Sequence, residues 1–129
     1  MSYALSVTTD GPFDETLTRT RSALEDQGFG VLTEIDIAQT LAAKTGETIP
    51  DQVILGACRP PLALDALRAE PGIGLLLPCN VVVREADDRV LVEAMDPEVM
   101  VQITGNEELH GVADDARTRL EAALTSITA

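Results

Sequence analysis

The residues Leu75-Leu-Leu-Pro-Cys-Asn-Val-Val-Val83 form a nearly continuous apolar run. Strands that are buried on both faces show this pattern, so the run predicts the central strand of a sheet. The next residues, Ala86-Asp-Asp-Arg89, predict a hairpin turn that leads into a second strand over Val90–Met95. Asp96-Pro97 ends that strand, since proline and aspartate favour turns. The middle of the chain therefore predicts two neighbouring antiparallel strands.

The residues before this run predict three further strands and three helices. Alternation of apolar and polar residues marks the strands. Proline and glycine mark the helix ends, and an Asp36–Gln39 pair caps the second helix. In chain order the predicted elements are a strand over Tyr3–Thr8, a helix from Pro12 to Gly28, a strand over Phe29–Ile35, a helix over Ile37–Thr45, a strand over Gln52–Cys58 and a helix from Pro60 to Glu70.

The C-terminal region contains the clearest helical pattern. Apolar residues recur at steps of three and four from Leu109 to Ile127, which predicts a long amphipathic helix. The whole order is β-α-β-(short α)-β-(short α)-β-β-α, and strands and helices do not alternate strictly. We therefore expect an α+β fold, with a mainly antiparallel sheet and helices packed on one face, rather than a doubly wound parallel sheet.

Length and charge restrict the function. At 129 residues the chain predicts a single domain over residues 1–129. The net charge is 9 − 22 = −13, and aromatic residues are 2% of the sequence, so we expect no binding to nucleic acid or to an anionic membrane. The first ten residues lack the pattern of a signal peptide. No uncharged stretch reaches the ~20 residues that span a bilayer. These features predict a soluble cytoplasmic protein.

The sequence identifies no catalytic residue and no metal site. The single histidine, His110, has no evident catalytic partner, and one His with two Cys does not make a closed zinc site. Cys58, Cys79, Met95 and Met100 could form a soft site for copper(I) or haem, although such residues commonly occupy cores. Enzymatic activity and the cofactor stay open.

The two cysteines occupy different sequence environments. Cys58 follows a strand and precedes Pro60-Pro61, which suit a helix start, and a helix N-terminus can lower a thiol pKa. The alternative for Cys58 is a small buried residue at a tight turn. Cys79 shares a predicted strand face with Leu75, Leu77, Val81 and Val83, so it is expected to be core packing.

Glu34 is the carboxylate with the most informative context. In the second predicted strand, Phe29, Val31, Thr33 and Ile35 share one face, whereas Leu32 and Glu34 share the other. A half-buried carboxylate beside Leu32 could bind a cation or act as a base. The alternative is a carboxylate on an edge strand in contact with water.

Four segments, in order and at the expected spacing, resemble one bacterial and archaeal family. They are Gly28-Phe-Gly-Val-Leu-Thr-Glu-Ile-Asp36, Ile54-Leu-Gly-Ala-Cys-Arg-Pro-Pro-Leu-Ala63, Gly74-Leu-Leu-Leu-Pro-Cys-Asn-Val-Val-Val83 and Asp96-Pro-Glu-Val-Met100. The family is called domain of unknown function 302. The resemblance implies a β-α-β(4)-α domain of the TATA-binding-protein-like class that is often dimeric, and it implies no established activity.

The resemblance also selects individual residues. Two positions depart from the family pattern: Arg59 stands where an Asn is expected, and Gln52 where an aromatic residue is expected. If that pair shapes a pocket, the ligand of this chain differs or is absent. The positions that match the family's motifs are Glu34, Asp36, Cys58, Pro60, Pro78, Cys79, Asp96 and Met100.

Three functions remain as hypotheses. The first is a homodimeric module that binds a small molecule or metabolite between the sheet and a helix, where clefts commonly form. The second is a redox or soft-metal or haem protein that uses its cysteines, and the third is a purely structural homodimer. The candidate ligand-binding residues are Glu34, Asp36, Cys58, Arg59, Cys79 and Met100.

Overall fold

The computed structural model describes residues 3–128. Five strands form one sheet, and five α-helices and two short 3₁₀ segments connect or cover them. The strands are β1 (Ala4–Thr9), β2 (Gly30–Asp36), β3 (Gln52–Cys58), β4 (Cys79–Ala86) and β5 (Arg89–Met95). The helices are α1 (Phe13–Asp26), α2 (Ile37–Thr45), α3 (Pro60–Ala69), α4 (Glu98–Thr104) and α5 (His110–Ile127), with 3₁₀ turns at Pro71–Leu76 and Glu107–Leu109.

The sheet has the strand order β1-β5-β4-β3-β2, and every neighbouring pair is antiparallel. The predicted α+β fold is confirmed, and β4 is the central strand as the apolar run indicated. The hairpin between β4 and β5 turns through Asp87 and Asp88, whose φ angles are 53° and 63°. Two consecutive positive φ angles are the signature of the type I′ turn, which matches the twist of a β-hairpin.

The main core lies between one face of the sheet and the two long helices, α1 and α5. Val83, Val92 and Leu55 point from the sheet into this core and have no exposed surface. Leu24 and Leu120 meet them from α1 and α5. A second, smaller core lies under α3, α4 and the start of α5, around Ile73, Met100 and Leu109. No helix within residues 3–128 is long and apolar enough to cross a membrane.

The central strand is shorter than the apolar run predicted. Pro71–Leu76 forms a 3₁₀ turn, and β4 begins only at Cys79. Leu75 is 93% exposed, so it does not share a buried face with Cys79. The physical reason is Pro78, because a proline has no amide hydrogen to donate to a neighbouring strand. The prediction of a strand over Leu75–Leu77 was therefore wrong.

The alternation predicted for β2 is interrupted by a bulge. Val31 pairs with Ala57 and Glu34 pairs with Leu55, with a register shift between Val31 and Thr33. Residues that pair across antiparallel strands point to the same face of a sheet. Val31 and Glu34 therefore lie on the helix-covered face, and the prediction that Val31 shares a face with Thr33 was wrong. One extra residue in a bulge reverses the alternation after it.

Helix α4 was not predicted, because Asp96-Pro97 was interpreted only as the end of a strand. The Asp96 side chain accepts a hydrogen bond from the Glu98 amide at 3.0 Å. The helix ends at Gly105, whose φ is +68°. An Asp that accepts a hydrogen bond from a backbone amide is an ordinary signal for the start of a helix, and a glycine in the left-handed conformation is an ordinary signal for its end.

Candidate functional site

A small apolar recess lies where the ends of β3 and β4 meet α3 and α5. Its volume is about 20 Å³. A cavity needs ~10–15 Å³ of such space to hold one water molecule, so the recess admits one water or one small chemical group. Its walls are formed by Phe29, Ala57, Cys58, Arg59, Leu62, Ala63, Ala66, Leu77, Pro78, Cys79, Met100, Val112 and Ala116.

The local sequence explains why these walls converge. β3 runs directly into α3, since Pro60 and Pro61 supply the first helical positions and need no hydrogen-bond acceptor there. The Arg59 carbonyl accepts from the Ala63 amide at 3.0 Å and closes the first turn. On the adjacent strand, Cys79 pairs with Ala57. This register places the first residue of β4 beside the β3–α3 junction.

Both thiols line the recess, but in different environments. Cys79 is 7% exposed, whereas Cys58 is half-buried. Burial, together with the nearby Cys58, raises the pKa of the Cys79 thiol to about 11. Cys79 is therefore a protonated thiol at neutral pH, and a protonated thiol is a poor nucleophile and a poor metal ligand. Its position agrees with core packing.

Arg59 is the one charged residue among those of the described chain, 3–128, that line the recess. Its Nε atom is buried and has no hydrogen-bond partner. A Cβ atom at Gly28 would lie 3.2 Å from this Nε, so the arginine side chain lies against the Gly28 backbone. Gly28 has a φ of +85°, which glycine adopts without steric cost. Gly28 therefore has two roles: it allows the chain to turn after α1, and it leaves space for the Arg59 side chain.

Four of the six predicted ligand-binding residues meet in the recess, namely Cys58, Arg59, Cys79 and Met100. Glu34 and Asp36 do not line it. Glu34 forms an ion pair with Arg21 of α1. The Asp36 side chain accepts from the Gln39 amide at 3.0 Å and caps α2, as the Asp36–Gln39 pair predicted. The binding roles of all six residues stay predictions.

The apolar residues on the helix side of the recess were not predicted as site residues. Leu62, Ala66 and Val112 line it from α3 and α5. Each has the spacing of an ordinary core residue in an amphipathic helix, so no sequence signal separates it from the rest of the core. Pro78 is also part of the wall, and only the family resemblance had marked it as more than part of a strand.

Acidic side chains elsewhere form ion pairs rather than a metal centre. His110 lies between Glu107, at 2.6 Å from its Nε2, and Glu98, at 3.5 Å from its Nδ1. Asp96 pairs with Arg117 at 3.3 Å. Among residues 3–128, no group of three or more His, Cys, Asp or Glu side chains is arranged to hold a metal ion.

The pKa of Cys79 predicts unequal reactivity of the two thiols. At pH 8 a thiol with a pKa of about 11 is ~0.1% ionised, and Cys79 is also shielded. We expect iodoacetamide to modify the folded protein once, at Cys58, as peptide mass spectrometry would show. Equal modification of both residues below the unfolding transition would contradict this environment.

The same shift predicts a pH dependence of stability. Between the ordinary value of 9.0 and about 11, the unfolded chain loses the Cys79 proton while the folded protein keeps it. The free energy of unfolding therefore falls as the pH rises through this window. We expect Cys79→Ala to remove that part of the slope in urea titrations at pH 8.5 to 10.5. Cys58→Ala is expected to keep most of it, because burial is the larger cause of the shift and Cys58 the smaller one. An unchanged slope in Cys79→Ala would contradict the shift.

Comparison with known proteins gives a family and a fold. The model of the family described as Domain of unknown function DUF302 matches residues 5–127, so the chain belongs to this family. A crystal structure of an uncharacterized conserved DUF302 protein from Bacillus stearothermophilus is 27% identical, with a TM-score of 0.91. The match covers 97% of this chain and 98% of that chain. No curated protein matches the chain. The resemblance stated from the four sequence segments is confirmed.

Proposed function

We propose that this DUF302 domain is a binding protein for a small molecule, which enters the recess between α3 and the sheet. The observation that supports this most is the composition of the recess, where apolar walls surround one charged group whose buried Nε lacks a partner. Ligand sites typically combine a mostly apolar lining with a few placed polar groups. The four predicted residues that meet there come from three separate segments of the chain.

The volume limits how a ligand binds. At about 20 Å³ the recess accepts only one small group of the ligand in this conformation. The half-buried residues Cys58, Arg59 and Ala63 mark its mouth, and the rest of the ligand lies across them. A larger buried ligand requires α3 to move away from the sheet. Helix α3 contributes Ala66 to the smaller of the two cores, so such a movement disturbs that core first.

Native mass spectrometry tests this proposal. Protein purified without chelator is expected to retain a non-covalently bound small molecule. Ala63→Phe narrows the mouth and is expected to lose that mass. Ala122→Phe adds the same ring to an exposed position on α5 and is expected to retain it. If the unmodified chain and both variants retain the same species, the ligand binds elsewhere. If none of the three retains a small molecule, the proposal is contradicted.

The cysteine-based alternative has one observation in its favour, which is that both thiols line the same recess. The raised pKa of Cys79 limits it, because chemistry in the recess would have to start at Cys58. A redox role predicts that mild peroxide treatment links Cys58 to Cys79, with a loss of two mass units in the intact protein. A soft-metal or haem role predicts a retained metal or porphyrin in the same native spectra.

Self-association is the second part of the proposal, and the uncovered face of the sheet supports it. Along β3, β4 and β5 this face presents the half-buried side chains of Ile54, Val82 and Leu91. Arg84 and Glu93 lie among them with 2.6 Å between Nε and Oε1. In a chain of net charge −13, a face whose Arg84 and Glu93 neutralise each other can approach a second copy with little repulsion. Under a two-fold axis, Arg84 of one copy can meet Glu93 of the other.

A groove on this face also suits a second copy better than a small ligand. The groove has a volume of about 330 Å³ and is open to solvent along β4 and β5. Tyr3, the only tyrosine of the chain, lies at its rim and is 70% exposed. Tyrosine is enriched at the centres of protein interfaces, because it buries a large area at low entropic cost.

We predict that light scattering gives a mass of twice the 13.7 kDa subunit. Val82→Glu places a carboxylate at the centre of the uncovered face and is expected to shift the protein to monomer. Thr18→Glu makes the same charge change at an exposed position on α1 and is expected to leave the dimer intact. A subunit-sized mass for the unmodified chain at every concentration would rule out the dimer.

A further inference from the structure

Arg59 stands apart from the other arginines of the chain. The sequence has 22 acidic residues against 9 basic ones, so an arginine without a carboxylate partner is unusual here. Arg19, Arg21, Arg84, Arg89, Arg117 and Arg119 each pair with a carboxylate within 4.0 Å. Arg59 and Arg68 pair with none of the carboxylates in residues 3–128. Arg68 is exposed to water, whereas the Arg59 Nε is not.

The surroundings of Arg59 favour an anion. Within the part of the chain that the structure describes, none of the residues that line the recess is acidic, so no carboxylate in its walls competes for the guanidinium. Helix α3 begins at the next residue, and its N-terminal end adds positive potential beside the Arg59 backbone. The Arg59 Nε packs against Gly28 and is shielded from water. A buried N–H of a charged group is costly without an acceptor, so an anion at the recess favours a turn of the Arg59 side chain that brings this N–H to it.

We infer that the ligand of the recess is a small organic anion, with a carboxylate that binds Arg59 and a short apolar chain that enters the cavity. This inference rests on the proposed function and specifies the class of its ligand. The guanidinium matches a carboxylate in geometry as well as in charge. The apolar walls from Leu62, Leu77 and Val112, and the volume of about 20 Å³, limit the inserted part to the terminal methyl group of such a chain.

Butyrate and its neutral isostere butyramide test the inference. Methyl NMR spectra of the full chain follow the signals of Leu62, Met100 and Val112, all of which line the recess. Butyrate is expected to shift these signals and to bind ~10-fold more tightly than butyramide, because a hydrogen bond to a charged group is the stronger one. Arg59→Gln is expected to abolish this preference, and Arg68→Gln to leave it unchanged. Arg59→Lys, which keeps the charge, is expected to retain part of it.

The outcomes separate this inference from the proposed function. If butyrate and butyramide bind equally well, or if Arg59→Gln keeps the full preference for butyrate, the ligand is not an anion held by Arg59. The recess then still remains a binding site. A neutral molecule retained in native mass spectra, with no response to butyrate, likewise overturns the inference alone. No retained molecule and no response to either probe overturns both.

Discussion

Gly56→Ala is expected to destabilise the protein by about 3 kcal/mol, a large cost for the addition of one methyl group. A Cβ atom at this position would overlap Thr33 Oγ1 and would lie 2.9 Å from Pro78 Cγ. Both approaches are far closer than a van der Waals contact. Thr33 can rotate, but the Pro78 ring is rigid and lies at the start of β4, so relief of the second contact displaces two strands. Urea denaturation of the variant measures the loss.

Gly74→Ala is the matched control, because a Cβ atom at Gly74 meets no other atom within 4 Å. It is expected to change the free energy of unfolding by less than about 0.5 kcal/mol. Addition of Thr33→Ala to Gly56→Ala removes the shorter of the two contacts and is expected to restore part of the stability. Gly56→Ala as stable as Gly74→Ala would show that β3 and Pro78 are not packed as described.

Leu120→Ala is expected to cost about 3–4 kcal/mol. Leu120 has no exposed surface and joins α5 to the sheet in the main core. Its truncation leaves a cavity between two rigid layers, which can close only in part. Leu75→Ala, at a side chain that is 93% exposed, is the control and is expected to have almost no effect. A loss below about 1 kcal/mol for Leu120→Ala would contradict the packing of α5 on the sheet.

Most of the fold could be predicted, because its signals are local. The Asp36 cap, the glycines that end α1 and α2, and the Asp87-Asp88 turn each depend on a few adjacent residues. One error arises where a distant partner decides the structure. The bulge in β2 depends on its pairing with β3, and no pattern within Gly30–Asp36 shows it. The other error is local, because the prediction included Pro78 in the strand although β4 begins only after it, at Cys79.

The candidate site was predictable only in part. Cys58 and Arg59 are adjacent in sequence, so a strand–helix junction already predicted their environment. Their proximity to Cys79 depends on the β3–β4 register, and that of Met100 on the unpredicted helix α4. Glu34 was selected because of its apparent place in an apolar strand. Its actual partner, Arg21, lies on a helix that sequence pattern could not orient against β2.

A crystal structure of the protein purified without chelator tests the central claim most directly, because it shows the recess and its contents together. The account predicts density of a small organic molecule at the recess, with an acceptor atom within hydrogen-bond distance of the Arg59 guanidinium. A recess that is closed around a single water molecule, in a protein whose native mass spectrum shows no bound species, would contradict it.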